Sequence, residues 1–122
     1  MKKTSVFITT QKEFIHQYKD APEEVSYLKY PHRHIAHIKV EVEVFHDDRE
    51  IEFIMLKHQI DKLLSRMEAT NKLSNNSCEM IANTILDYIH KNYGTNRDIE
   101  IVVSEDGENG CVLRYRKEIA ND

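Results

Sequence analysis

The chain has 122 residues, which is enough for one domain with a single core, so residues 1–122 are treated as one domain. Its formal net charge of -4 and the absence of a basic run argue against binding to a nucleic-acid polymer. No apolar run reaches the roughly 20 residues of a membrane span, and no apolar signal-peptide core follows Met1. Cys78 and Cys111 lack CxxC spacing, so both are expected to be free thiols of a cytoplasmic protein.

The N-terminal part of the chain is predicted to form two strands separated by a loop. Residues 5–10 are β-prone and indicate a first strand, and residues 14–18 either continue it or form a second short strand. Residues 19–31 contain both prolines and are expected to form a loop. Apolar and charged residues alternate strictly over residues 38–44, which is typical of a half-buried antiparallel strand.

A change in the apolar period marks a helix in the middle of the chain. A hairpin turn at residues 46–49 and a brief return strand at residues 50–52 are predicted to precede it. From Phe53 to Met67 the apolar residues recur at steps of three and four, so this segment is predicted to be an amphipathic helix. Residues 68–76 are polar and are expected to form a loop.

A second helix and two further strands complete the predicted order. The helix begins at one of two competing caps, Asn76 in a capping-box arrangement or Ser77, and ends near Gly94. Strands are predicted at residues 99–104 and 111–117, and the polar residues after them are expected to fray. The order β-β-α-α-β-β predicts an α+β fold, a four-stranded antiparallel sheet with two helices on one face.

Two histidines at the start of the main strand form a candidate metal site. If this strand extends back to His32, alternation places His32 and His34 on the apolar face and His37 on the opposite one. Two imidazoles on one face at i and i+2 can share a metal ion. The alternative is a histidine-rich strand entrance whose rings are solvated or bonded to the backbone. The other histidines of the C-terminal two thirds are expected at the surface: His46, His58 and His90.

This order and four short motifs resemble the tunnelling-fold family of 6-pyruvoyl-tetrahydropterin synthase and the bacterial 6-carboxy-tetrahydropterin synthase. Residues 32–34 (His-Arg-His) resemble the His-Gly-His that opens a strand in that family, and His16 is similar to its early histidine. Residues 52–57 (Glu-Phe-Ile-Met-Leu-Lys) resemble its Asp-Phe-x-x-Leu-Lys element, and residues 77–82 look like the start of its second helix. The resemblance covers about residues 7–115.

The resemblance implies a tunnelling fold with a metal and ligand site. In such a site His16, His32 and His34 would bind Zn²⁺, since three neutral imidazoles and a water suit this ion. Glu105 occupies the position of the family's pterin-anchoring Glu, which would accept two N–H bonds from a pterin- or guanine-like edge. The family also joins its sheets into a barrel, so we expect a homo-oligomer, a trimer or hexamer, with the ligand at a subunit interface.

Three residues are candidates for binding the ligand, and each has a plainer interpretation. Glu105 either contacts the ligand or is a solvated residue that opens a loop. Arg33 either favours an anionic ligand such as a phosphate or pairs with Glu23 or Glu24. Glu79 either contacts the ligand or stabilises the helix start, where a carboxylate contributes about 0.3–1 kcal/mol.

The chain departs from the family's pattern at the positions that carry its reaction. Residues 25–29 contain no counterpart of the catalytic Cys before His-Gly-His, and residues 67–76 contain no Asp-His pair. An alternative alignment on residues 39–42 places the family's second strand histidine at Ala36 and leaves His34 alone. Because the proton transfers need an activated thiol and a relay, the sequence does not predict a complete synthase.

Four functions follow from these residues, in order of preference. The first is a protein that binds a pterin-, purine- or nucleotide-like small molecule at a subunit interface without completing the synthase reaction. The second is an active zinc-dependent lyase of this family, in which Tyr27, Tyr30 or His37 has replaced the relay. The others are a noncatalytic protein that sequesters a nucleotide-derived signal or contacts another protein, and an assembly module with an empty pocket.

Overall fold

The computed structural model describes residues 1–118, in which a sheet carries helices on one face. Residues 119–122, and with them most of the predicted fraying, lie outside the described part of the chain. The elements follow in chain order: β1 (Thr4–His16), a 3-10 helix (Glu23–Lys29), β2 (His32–Val44), α1 (Phe53–Ala69), α2 (Lys72–Asn75), α3 (Cys78–Tyr93), β3 (Ile99–Glu105) and β4 (Asn109–Tyr115).

The four strands form one antiparallel sheet in the order β1-β2-β3-β4. β1 and β2 pair along their whole lengths, from Thr4 opposite Val44 to His16 opposite His32. β3 continues the sheet, with Glu105 opposite Ala36. The α+β prediction is therefore confirmed, and β1 and β4 form the two edges of the sheet.

Alternation along β2 decides which face of the sheet is covered. Its even-numbered apolar residues are buried, and its odd-numbered residues point to the other face, where all except Glu43 remain at least partly exposed. The apolar stripes of the two long helices pack against this buried face. Each fully buried Leu or Ile stabilises the fold by about 1.5–3 kcal/mol. The fully buried side chains include Ile38, Val40 and Val42 of β2, Leu56, Ile60 and Leu64 of α1, and Ile81, Ile85 and Ile89 of α3.

The structure corrects two local predictions and decides between the two alternatives for a third segment. Residues 50–52 do not return as a strand, because Glu52 is the N-cap of α1 and its carboxylate accepts the Ile54 N–H at 2.7 Å. The segment 68–76 is not a simple loop, since it holds the end of α1 and the short α2. Residues 14–16 continue β1, so the sheet extends as far as His16.

The helix caps follow local side-chain chemistry. Ser77, one of the two competing candidates, caps α3, and its Oγ accepts the Met80 N–H at 3.2 Å. The capping box on Asn76 is therefore wrong, although Glu79 lies in the first turn of α3 as a dipole partner. Gly94 ends the helix with φ +86°, a conformation that suits Gly. Within residues 1–118 none of the helices has the length and apolar content needed to span a bilayer.

A charged network holds the end of the sheet where β2 finishes and β3 begins. Glu43 is 5% exposed, and its carboxylate accepts the Asp98 N–H at 3.0 Å and lies 3.0 Å from Lys117 Nζ. Arg97 donates to the Glu43 carbonyl at 3.0 Å and to the Glu50 carboxylate at 2.5 Å. These five residues tie the loops at this end to the sheet, and we call them the charged network.

Candidate metal centre

Strand register brings three histidines together at the opposite end of the sheet. His16, the last residue of β1, pairs with His32, the first residue of β2, and His34 follows on the same face. Their donor nitrogens lie within 4.8 Å of one another. The three predicted metal ligands are thus close enough to hold one ion in principle, and we call them the histidine cluster.

In His32 and His34, the ring nitrogen that points away from the cluster, called the outer nitrogen, lies next to an oxygen acceptor. The nitrogen that points into the cluster is called the inner nitrogen. His32 Nδ1 lies 2.8 Å from the Tyr30 carbonyl oxygen, and His34 Nδ1 lies 2.7 Å from an Asp106 carboxylate oxygen. In neutral rings these acceptors select the tautomer with the proton on Nδ1, which leaves the Nε2 lone pair free. Such partners are what metal-binding histidines usually have, because they fix ring orientation and raise the basicity of the other nitrogen.

The inner nitrogens lack partners. Among residues 1–118, His16 Nδ1 and His34 Nε2 are buried and accept or donate no hydrogen bond. A buried polar group left unsatisfied costs about 1–3 kcal/mol. Burial lowers the pKa of His16, while the charge of Glu105 opposes that shift, and the neutral ring is the form that binds a metal. Three imidazoles that offer free lone pairs would fit a Zn²⁺ ion.

Glu105, a predicted ligand-binding residue, lies beside the histidine cluster. One carboxylate oxygen is 3.2 Å from His34 Nε2, and the other is 3.8 Å from His16 Nδ1. Its neighbour Asp106 accepts the Ile35 N–H at 2.8 Å as well as bonding His34. The Ile35 bond first, and the His34 bond second, lower the pKa of Asp106 and keep it ionised.

Sequence reasoning missed the role of Asp106. Its backbone is left-handed, with φ +59°, in the turn between β3 and β4. That turn folds back over the start of β2, 72 residues away along the chain, and this brings the carboxylate to His34. The sequence does show an acidic turn after this strand. It does not show which histidine a carboxylate of that turn will contact.

A cavity of about 530 Å³ opens beside the histidine cluster. Tyr18 and Leu28 of the β1–β2 connection form one wall, and Cys78 and Glu79 of α3 form another. Glu79 therefore lines the same cavity as His16 and Glu105, so two of the three predicted ligand-binding residues meet here. Burial, and secondarily Glu105, raise the pKa of the Cys78 thiol to about 11.

Arg33 is placed differently from the prediction. Alternation in β2 directs it to the face opposite His32 and His34, where its Nε lies 2.6 Å from the Glu13 carboxylate. It therefore does not reach the histidine cluster of its own chain. The expected pairing with a Glu of the 3-10 helix is also wrong, because Glu13 on the neighbouring strand is closer in the folded sheet.

Other predicted positions are confirmed or corrected by burial. His37 lies on the open face of the sheet, with its ring beside Gly107. It is not part of the histidine cluster. His46 and His58 are exposed, as expected. His90 is not a surface residue, because its half-buried ring stacks edge-on against Tyr115 with centroids 4.4 Å apart. Cys78 and Cys111 are free thiols, as expected.

Neither models of protein families nor curated proteins gave a match to this chain. The resemblance to the tunnelling-fold pterin synthases therefore stays a prediction that depends on the motifs themselves. The geometry of the histidine cluster and its cavity is the basis for assigning a function.

Proposed function

We propose that this chain is a metal-centred small-molecule-binding protein with one divalent cation, preferably Zn²⁺, on His16, His32 and His34. The observation that carries the proposal is the pair of buried inner nitrogens, on His16 and His34, that lack a partner among the described residues. A cation would satisfy both at once. The outer bonds of His32 and His34 give these two rings the orientation that a metal ligand needs.

The proposed ligand is a planar nitrogen heterocycle of the pterin, purine or nucleotide kind. A cavity of about 530 Å³ falls within the roughly 300–1,000 Å³ range of small-molecule sites. Its wall combines the apolar Leu28 and the aromatic Tyr18 with the carboxylate of Glu79. An aromatic side chain suits the face of such a ring, and a carboxylate suits an edge with two N–H donors. Zinc would supply an open coordination position for an oxygen or nitrogen of the ligand.

Binding is preferred to synthesis because the expected proton carriers are missing. No thiol precedes His32 at the family's position, and no Asp-His pair lies between the long helices. One observation favours the alternative, a zinc-dependent lyase: Cys78 lines the same cavity as His16 and His32. Its raised pKa keeps it a neutral thiol at pH 7, which makes it a poor nucleophile without further activation.

We propose further that subunits associate through the sheet edges, as trimers or hexamers, in the cytoplasm. β1 and β4 are edge strands, and a thirteen-residue edge such as β1 exposes many unpaired backbone groups. Exposed apolar side chains lie near it, with Phe7 58% and Phe53 51% exposed. Sedimentation should show an oligomer at micromolar concentration, and a stable monomer would contradict this part of the proposal.

The test is a metal and small-molecule analysis of one purified sample, prepared without a chelator. We expect about one zinc ion per chain by elemental analysis and a released heterocycle by mass spectrometry after denaturation. Glu79→Gln should lower the retained heterocycle and leave the zinc content unchanged, with Glu24→Gln on the 3-10 helix as the control. A folded protein that takes up neither Zn²⁺ nor Co²⁺ would overturn the metal centre. A zinc-loaded protein that retains no heterocycle, and whose melting temperature no pterin, purine or nucleotide raises, would overturn the ligand.

A further inference from the structure

We infer that Glu105 is a fourth protein ligand of the metal in the ligand-free protein, which gives the centre a His₃Glu donor set. The inference depends on the proposed metal centre and adds to it the residue that closes the coordination shell. It starts from the two inner nitrogens of the histidine cluster. His34 Nε2 and His16 Nδ1 each face an oxygen of the same carboxylate, at 3.2 Å and 3.8 Å.

These separations match those of two ligands around one ion. Two donor atoms that are each about 2.1 Å from an ion, at about 109° to each other, lie about 3.4 Å apart. The distance from Glu105 to His34 is slightly shorter than this value, and the distance to His16 is slightly longer. Both fit the angles that a four- or five-coordinate ion allows.

Alignment favours a shared ion over a hydrogen bond. Although a Glu105 oxygen lies 3.2 Å from His34 Nε2, this nitrogen has no hydrogen-bond partner among residues 1–118, so the in-plane axis through it does not point at the carboxylate. Ligands of one ion point at the ion and not at each other, so the line between two of them lies about 35° from the axis of the ring nitrogen. The partner that Nδ1 of His34 already has, Asp106, also directs the Nε2 lone pair toward the cluster.

The position of Glu105 in the fold allows it to complete the shell. It is the last residue of β3, where the pleat points its side chain to the same face as the histidines, and 24% of its side chain remains exposed. The three donor atoms within 4.8 Å of one another do not include Glu105, so ligation requires its side chain to rotate. A Glu side chain has the torsional freedom for that rotation.

A carboxylate ligand changes how a small molecule would enter the site. With four protein ligands, the incoming molecule either raises the coordination number to five or displaces the carboxylate. In the second case the released Glu105 becomes available to accept N–H bonds from the edge of the heterocycle. One residue would then serve the metal in the empty site and the ligand in the filled site.

Co²⁺ binding to the full chain tests the inference, because its visible absorption reports the number and kind of ligands. Glu105→Gln should weaken Co²⁺ binding at least about 10-fold and change the position and intensity of the visible bands. Glu105→Ala should do the same, and Glu108→Gln in the adjacent turn should leave both affinity and spectrum unchanged. Circular dichroism establishes that each variant is folded.

The outcomes separate this inference from the proposed metal centre. Wild-type protein that binds no Co²⁺ would contradict the metal centre itself. Wild-type binding with an unaltered spectrum and affinity in both Glu105 variants would overturn only the fourth ligand. Weaker binding with an unaltered spectrum would also overturn it, since the carboxylate would then act on the ion from a distance.

Discussion

The two ends of the sheet both collect polar side chains, but they differ in how completely these are satisfied. In the charged network, Arg97 donates to the Glu43 carbonyl, the Tyr93 carbonyl and the Glu50 carboxylate, and Glu43 itself is bonded to Lys117. In the histidine cluster two inner nitrogens have no partner within the described residues. The first end is satisfied by its own side chains and backbone, whereas the second is not.

This difference is a better guide to function than the density of charge. Native proteins satisfy the great majority of their buried polar groups, so each exception asks for an explanation. The charged network has buried carboxylates at Glu43 and Asp98, yet its partners account for both. The histidine cluster has no buried carboxylate, but two of its buried ring nitrogens lack a hydrogen-bond partner and belong to neighbouring rings. The cation proposed for this site would explain that arrangement, and variants at the two ends should therefore behave differently.

The largest expected effect is the loss of metal affinity when one of the three proposed histidine ligands is removed. His34→Ala should weaken Zn²⁺ binding by more than about 100-fold, since loss of an outer partner alone costs about 10–100-fold. His37→Ala is the matched control, because it removes a histidine from the opposite face of the same strand. Chelator competition measures both affinities. Equal affinities for the two variants would show that the histidine cluster is not the metal centre.

Removing a carboxylate from the charged network should lower the stability of the fold and leave the metal affinity unchanged. Glu43→Ala leaves Lys117 and the Asp98 N–H without their partner, which should lower the free energy of unfolding by about 3 kcal/mol. Glu41→Ala on the same strand should cost less than about 1 kcal/mol, because its exposed pair with Lys39 is screened by water. Urea unfolding of metal-free protein measures these values. A Glu43 variant as stable as the Glu41 variant would refute the structural role.

An outer partner of the histidine cluster should have an intermediate effect. Asp106→Asn keeps an acceptor for His34 Nδ1 and tolerates the left-handed backbone, but it loses the charge. We expect Zn²⁺ affinity to fall about 10-fold, which corresponds to about 1.4 kcal/mol. Glu108→Gln in the same turn serves as the control. An affinity unchanged by Asp106→Asn would mean that the carboxylate does not tune the ring.

The extent to which these two ends could be predicted differs for a physical reason. Strict alternation over residues 38–44 encodes the face of each side chain, so it located the centre of the sheet and the shared face of His32 and His34. Cross-strand partners are set by register and turn geometry, which the local pattern does not contain. The bond from Asp106 to His34 and the charged network both depend on contacts between segments far apart in the chain.

Errors in local prediction have a similar origin. Residues 50–52 read as a strand because Ile51 lies between charged residues, yet Glu52 gains more as a helix cap at the start of α1. Ile51 is instead buried in the core without belonging to a strand. His90 is predicted at the helix surface, but β4 covers its ring with Tyr115. A local helix cap outweighed strand propensity in the first case, and a tertiary contact covered the side chain in the second.

The smallest expected effect is the pH dependence of the charged network. The hydrogen bond from Arg97 first, and the Phe45 N–H second, lower the pKa of Glu50 below its ordinary value of 4.5. Ionised Glu50 therefore stabilises the fold above that ordinary value, and the contribution is lost as pH falls through the lower pKa of the folded protein. Melting temperatures of metal-free wild type and Glu50→Gln should differ most near pH 6–7 and converge toward pH 3. A difference that stays constant over this range would show that the Arg97 contact does not depend on the charge of Glu50.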